Sequence, residues 1–118
     1  MAKRAIRVGL RLNYERLDAM YHACSGMAED FIPSEEHEYL LLTHLMALER
    51  KMEQMLERNQ AMYTLNLSAP EALAFKQVWQ ICGRYQDRYT QVVVGALVKK
   101  VNEMNADNIA APAKKVIK

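Results

Sequence analysis

The residues of this chain that could do chemistry are few. The stretch GRYQDRY at 83–89 interleaves Arg84 and Arg88 with Tyr85 and Tyr89. Bases can stack on tyrosine while a neighbouring guanidinium meets phosphate. The more ordinary reading is a packed tyrosine face beside an arginine face, with Asp87 among the charges. His22, His37 and His44 are the only histidines. His37 and His44 share a helix face, but a zinc or di-iron centre needs HExxH, ExxH pairs or cysteine companions at close spacing. None occurs, so neither a metal nor a cofactor is expected. Glu35, Glu36 and Glu38 could be imagined as an acid and a base. At a helix start, carboxylates more commonly serve the helix dipole. No GxSxG, P-loop or GxGxxG is present. His22 and Cys24 are two apart and diverge on a helix, so they form no nucleophilic pair. The chain reads as non-enzymatic.

One further constellation stands out by its spacing. In IRVGLRL at 6–12, apolar Ile6, Val8, Leu10 and Leu12 alternate with Arg7, Gly9 and Arg11. A period of two marks a half-buried strand whose polar face carries both arginines. The same alternation returns in YTLNLS at 63–68, where Tyr63, Leu65 and Leu67 alternate with Thr64, Asn66 and Ser68.

The 118 residues make one domain, long enough to bury a core without disulfide or metal staples. The formal net charge of +2 is too small to argue for nucleic acid by itself. Its distribution is more informative. Lys3, Arg4, Arg7, Arg11 and Arg16 crowd the start, and Lys99, Lys100, Lys114, Lys115 and Lys118 crowd the end. Residues 17–49 hold no Lys or Arg, so basic ends enclose an acidic middle. Cys24 and Cys82 lie in apolar helical surroundings with no CxxC, which reads as reduced thiols and a cytoplasmic location. The basic start is not followed by a long apolar run, so no signal peptide is expected. The stretch VVVGALV at 92–98 is far too short to cross a bilayer, and no membrane partner is expected.

The elements around the two strands follow from caps and periodicity. Asn13 can cap a helix carrying Leu17, Met20, Tyr21, Cys24 and Met27 on one face, with Gly26 near its end. Pro33, Ser34 and the following glutamates open a second helix, from about residue 35 to the high fifties. On it Leu41, Leu45, Leu48, Met52, Met55, Asn59 and Met62 recur at alternating steps of four and three, a seam for lengthwise helix packing. That seam serves a bundle or an oligomer, and Asn59 on it would fix register. Eight methionines is a high number, and Met46, Met52 and Met55 follow or flank the seam. Ser68, Pro70 and Glu71 form a strong helix start with a capping box. The helix it opens carries Leu73, Phe75, Val78, Trp79 and Cys82. Gly83 separates it from a run holding Tyr85, Tyr89, Val92, Val93, Ala96, Leu97 and Val101. The segment 105–118 reads as a basic flexible tail.

The two alternating stretches head similar units, each a short strand, a polar cap and a helix that approaches its end at a Cys and a Gly. They lie about 55 residues apart, a period of the size that marks duplicated units. A lone strand cannot satisfy its backbone donors and acceptors. Two strands of matched alternation can pair, within one chain or between two copies, with Val8, Leu10, Leu12, Tyr63, Leu65 and Leu67 on a shared core. The expected fold is mainly α, with three or four helices and a short two-stranded antiparallel β-ribbon in a β-α-α duplication. Residues 1–104 form the domain, as units of about 5–60 and 62–104.

Strand, helix, helix resembles the ribbon-helix-helix family of DNA-binding proteins, here as a fused tandem pair. In that family two units pair their strands into an antiparallel ribbon that enters the DNA major groove. The resemblance implies that Arg7, Gly9, Arg11, Thr64 and Asn66 face the bases. Arg can bridge guanine O6 and N7, and Asn can pair with adenine. Lys3 and Arg4 would meet phosphates. The inter-helix segment SGMAEDFIPSEE and the second helix are both longer than the family usually has. The implied partner is double-stranded DNA. The alternative is a protein-interaction or scaffold module that oligomerises on Leu41, Leu45, Leu48, Met52 and Met55, with no nucleic-acid role.

Overall fold

Alternation makes the ribbon. β1 (Arg7–Asn13) and β2 (Met62–Ser68) both follow the burial sequence exposed, buried, exposed along their length. They pair antiparallel within the one chain, with Val8 opposite Leu67, Leu10 opposite Leu65 and Leu12 opposite Tyr63. All six of these side chains are buried. A register slip of one residue would turn them to solvent and bring the polar set inward, which fixes the pairing. The computed structural model describes residues 7–82 and 87–117, with side chains at 7–82 and 87–103.

Four helices complete the described fold: α1 (Tyr14–Asp30), α2 (Glu36–Leu56), α3 (Ala69–Cys82) and α4 (Arg88–Ile117). The element order is therefore strand, helix, helix, twice over. α2 packs on α1 and α3, and α4 packs on α1 and α3, so each unit's second helix also touches the other unit's first. The ribbon closes one side of the core between them. Leu17, Met20, Leu45, Leu48, Met52, Leu65, Leu67, Phe75, Val94 and Leu97 are wholly enclosed.

Two expectations are corrected. α1 passes through Gly26 and ends at Asp30. Burying Met27 and Phe31 outweighs the helix cost of one glycine, about 1 kcal/mol. Asn59 is not a seam residue: α2 stops at Leu56, and Asn59 is exposed in the following loop with φ 56°. Asn tolerates that left-handed conformation better than most residues, so it shapes the turn into β2. The α4 backbone runs on to Ile117.

The seam on α2 is used inside the chain. Leu45, Leu48, Met52 and Met55 are buried and Leu41 is half-buried, all against the same core. Cys24 lies there too, its thiol donating to the Leu45 carbonyl at 3.4 Å. Burial, aided by Glu49, pushes that thiol far above its usual pKa, so it stays protonated and unreactive. No helix among the described residues is long and apolar enough to cross a membrane.

Candidate nucleic-acid interface

The pleat that buries six apolar side chains sends the others outward. Arg7 stands opposite Ser68, Gly9 opposite Asn66, Arg11 opposite Thr64 and Asn13 opposite Met62. All eight are exposed. The structure thus brings Arg7, Arg11, Thr64 and Asn66 together on one surface, while Lys3 and Arg4 lie outside the described residues. Among the described residues neither guanidinium has an ion-pair partner. Two cations with no ion-pair partner among the described residues therefore flank the Gly9–Asn66 rung.

Gly9 has a specific use on this face. A Cβ there would stand 3.3 Å from Asn66 Oδ1, so the missing side chain lets the amide lie across the ribbon between the arginines. Asn66 is exposed and can turn aside. Gly9→Ala is accordingly expected to change stability by less than about 0.5 kcal/mol. It should still displace the Asn66 side-chain amide signals in a nitrogen–proton correlation spectrum. A loss of several kcal/mol on thermal melting would show instead that the amide is locked in place.

Two lysines brace the ribbon edges, and sequence reasoning missed both. Lys51 Nζ on α2 donates to the Asn66 carbonyl at 2.9 Å, and Lys100 Nζ on α4 donates to the Gly9 carbonyl at 2.8 Å. These are the two carbonyls of a single rung, turned away from each other toward the free edges. Each ammonium satisfies an acceptor that a two-stranded sheet leaves open, and each blocks edge-to-edge pairing. Spacing places each lysine beside the core, since each directly precedes a residue of a helical apolar series, Met52 or Val101, but it does not encode which strand carbonyl the ammonium reaches.

Lys51 also bonds Glu71 Oε1 at 2.9 Å, and the same oxygen accepts from the Ser68 amide at 2.9 Å. Ser68 Oγ in turn accepts from the Glu71 amide at 3.3 Å, which completes the expected capping box. Burial raises the Glu71 pKa, but the Lys51 ammonium and the Ser68 donors outweigh it and hold the carboxyl below its usual range. A carboxyl lowered on folding adds stability above its unfolded pKa and loses it as pH falls through the folded one. Glu71→Gln should therefore cost roughly 1–2 kcal/mol at neutral pH, in urea melts. The difference from wild type should close as pH drops below the usual carboxylate range. A gap that stays constant with pH would contradict the ionic part of this assignment.

The helix starts are occupied by their own side chains. Asn13 Oδ1 accepts from the Arg16 amide at 2.9 Å, and Asp87 Oδ1 accepts from the Thr90 amide at 2.7 Å. Glu38 Oε1 takes the Ser34 amide at 2.8 Å, the Ser34 hydroxyl at 2.9 Å and the Glu35 amide at 3.2 Å. Those donors hold the Glu38 carboxyl below its usual pKa, as Thr90 does for Asp87. An anion is thus met by side chains rather than by an open helix end.

The other candidates are dispersed. Arg84 and Tyr85 lie outside the described residues, while Arg88 and Tyr89 are exposed at the start of α4. His22 pairs with Asp18 at 3.3 Å and His37 with Glu35 at 3.3 Å, both on the surface. Among the described residues no group of three or more His, Cys, Asp and Glu side chains is arranged to hold a metal ion. Comparison of the chain with protein-family models, curated proteins and solved structures finds no match.

Proposed function

We propose that this chain is a non-enzymatic protein that binds double-stranded DNA, laying the outer face of its ribbon in the major groove. The single observation that carries the reading is the union of Arg7, Arg11, Thr64 and Asn66 on one exposed side of an antiparallel ribbon. The major groove admits a two-stranded ribbon, and these side chains have the donors and acceptors that base edges require. Arg7 and Arg11 donate to guanine, and Asn66 pairs with adenine. Thr64 contacts a neighbouring base, and Lys3 and Arg4, which precede β1 in the chain, take phosphates. Here the resemblance to the ribbon-helix-helix family is one of architecture, with both units fused in a single chain. A cytoplasmic location accompanies this reading, since Cys24 and Cys82 are both free thiols.

The test is fluorescence anisotropy of a labelled mixed-sequence duplex, titrated with the protein at low and then moderate salt. Binding that weakens with salt, with a logarithmic slope of roughly −2 to −4, is expected for a few phosphate contacts. Absence of binding at low salt would overturn the reading.

A second reading, a protein-interaction or scaffold module, is favoured by a different face of α2 from the buried seam. Tyr39, Leu40 and Met46 are each more than half exposed, and Ile32 beside the helix start is 85 % exposed. Tyr39→Glu combined with Met46→Glu would weaken a concentration-dependent assembly in sedimentation runs. A chain that stays monomeric at every concentration would remove the self-association form of this reading.

A further inference from the structure

The ribbon has a two-fold axis in its backbone but not in its chemistry. Leu10 stands opposite Leu65, and the strands run antiparallel for equal lengths on either side, so the axis passes through that rung. Rotation about it exchanges Val8 with Tyr63 and Leu12 with Leu67, all buried and apolar. The second helices share a spacing of buried residues. Leu45, Leu48 and Met52 on α2 have the spacing of Val94, Leu97 and Val101 on α4, and all six are buried. Lys51 and Lys100 occupy matching places in those two series, but their contacts depart from the axis: the rotation carries the Asn66 carbonyl onto that of Arg11, whereas Lys100 reaches Gly9.

The outer face breaks this symmetry at every position. The same rotation exchanges Arg7 with Met62, Gly9 with Thr64, Arg11 with Asn66 and Asn13 with Ser68. Both cations fall on β1, and β2 carries none. The amide of Asn66 lies across Gly9, so the β1 side of the face presents a cation, an amide and a cation in succession. At about 3.4 Å per residue, Arg7 and Arg11 stand roughly 13–14 Å apart along the strand, on the order of four base-pair steps.

Resting on the DNA reading above, we propose that the site this ribbon recognises is non-palindromic. It carries two guanines about four steps apart, met by Arg7 and Arg11, with an adenine between them met by Asn66. A symmetric face would select an inverted repeat, because each half of the ribbon would ask for the same bases. Here the half of the site under Arg7, reversed and complemented, offers nothing that Met62 can read. Base discrimination therefore depends on which way round the duplex lies.

The test is selection of a random duplex library on the full chain, followed by affinity measurements on the enriched sequence. The expected motif has no internal two-fold and contains the two guanines and the adenine. Palindromes built from either half should bind at least tenfold more weakly than the whole site. Arg7→Ala and Arg11→Ala should each relax one guanine, and Asn66→Ala should relax the adenine. Enrichment of an inverted repeat would overturn the inference, and so would binding without base preference; both leave the ribbon as a DNA-binding surface. Failure to retain any duplex, at low salt and with a folded protein, would overturn the DNA reading together with this one.

Discussion

Replacing Arg7 and Arg11 together by alanine is expected to weaken binding to the preferred duplex by about thirtyfold or more. A bidentate arginine–guanine contact is worth roughly 1–3 kcal/mol of discrimination, and two are removed. The fold should not notice. Both guanidinium groups are exposed and, among the described residues, have no ion-pair partner. Thermal melts of the double variant should therefore lie within about 0.5 kcal/mol of wild type. Salt titration then separates two roles for the arginines. Base readers would leave the salt slope nearly unchanged and flatten sequence preference. Phosphate binders would reduce the slope by about one unit each and weaken all sequences alike. Unchanged affinity in a folded double variant would make both arginines ordinary solvated residues on a structural strand.

Leu48→Ala should destabilise the chain by about 2–5 kcal/mol, the range for emptying a leucine site in a packed core. Leu48 has no exposed surface, and α2 packs against α1, α3 and β2. Its counterpart Leu97 on α4 is as deeply buried, and Leu97→Ala should fall in the same range. Urea melts check both values. The seam is internal, so the loss should not change with protein concentration. A variant of normal stability but weakened self-association would contradict the packing, because it would put Leu48 at a contact between copies.

Local chemistry made much of the fold legible. Alternation in IRVGLRL and YTLNLS marked both strands, their inward sets and their outward sets, because pleat geometry allows only two faces. Asn13 and the Ser68–Glu71 box marked two helix starts, because an unpaired amide needs a nearby oxygen. Features that depend on competition between distant terms were not legible. Gly26 looks like a stop, but the pull of Met27 and Phe31 into the core carries the helix onward. Asn59 continues the seam in spacing, yet the chain must turn there to bring Met62 into β2. Of the candidate surface, the positions of Arg7, Arg11, Thr64 and Asn66 could be read from sequence. The contacts of Lys51 and Lys100 with the Gly9–Asn66 rung could not. Lys100 contacts Gly9 across nearly the whole chain, and no local pattern encodes a contact of that range.

The most direct measurement is to follow nitrogen–proton correlation spectra of the labelled protein while duplex DNA is added. Signals of Gly9, Arg11, Thr64 and Asn66, including the Asn66 side-chain amide, should shift first and furthest, with the exposed side of α2 unchanged. Shifts confined to Tyr39, Leu40 and Met46, or a ribbon that stays silent while DNA binds elsewhere, would contradict the claim that this face meets the groove.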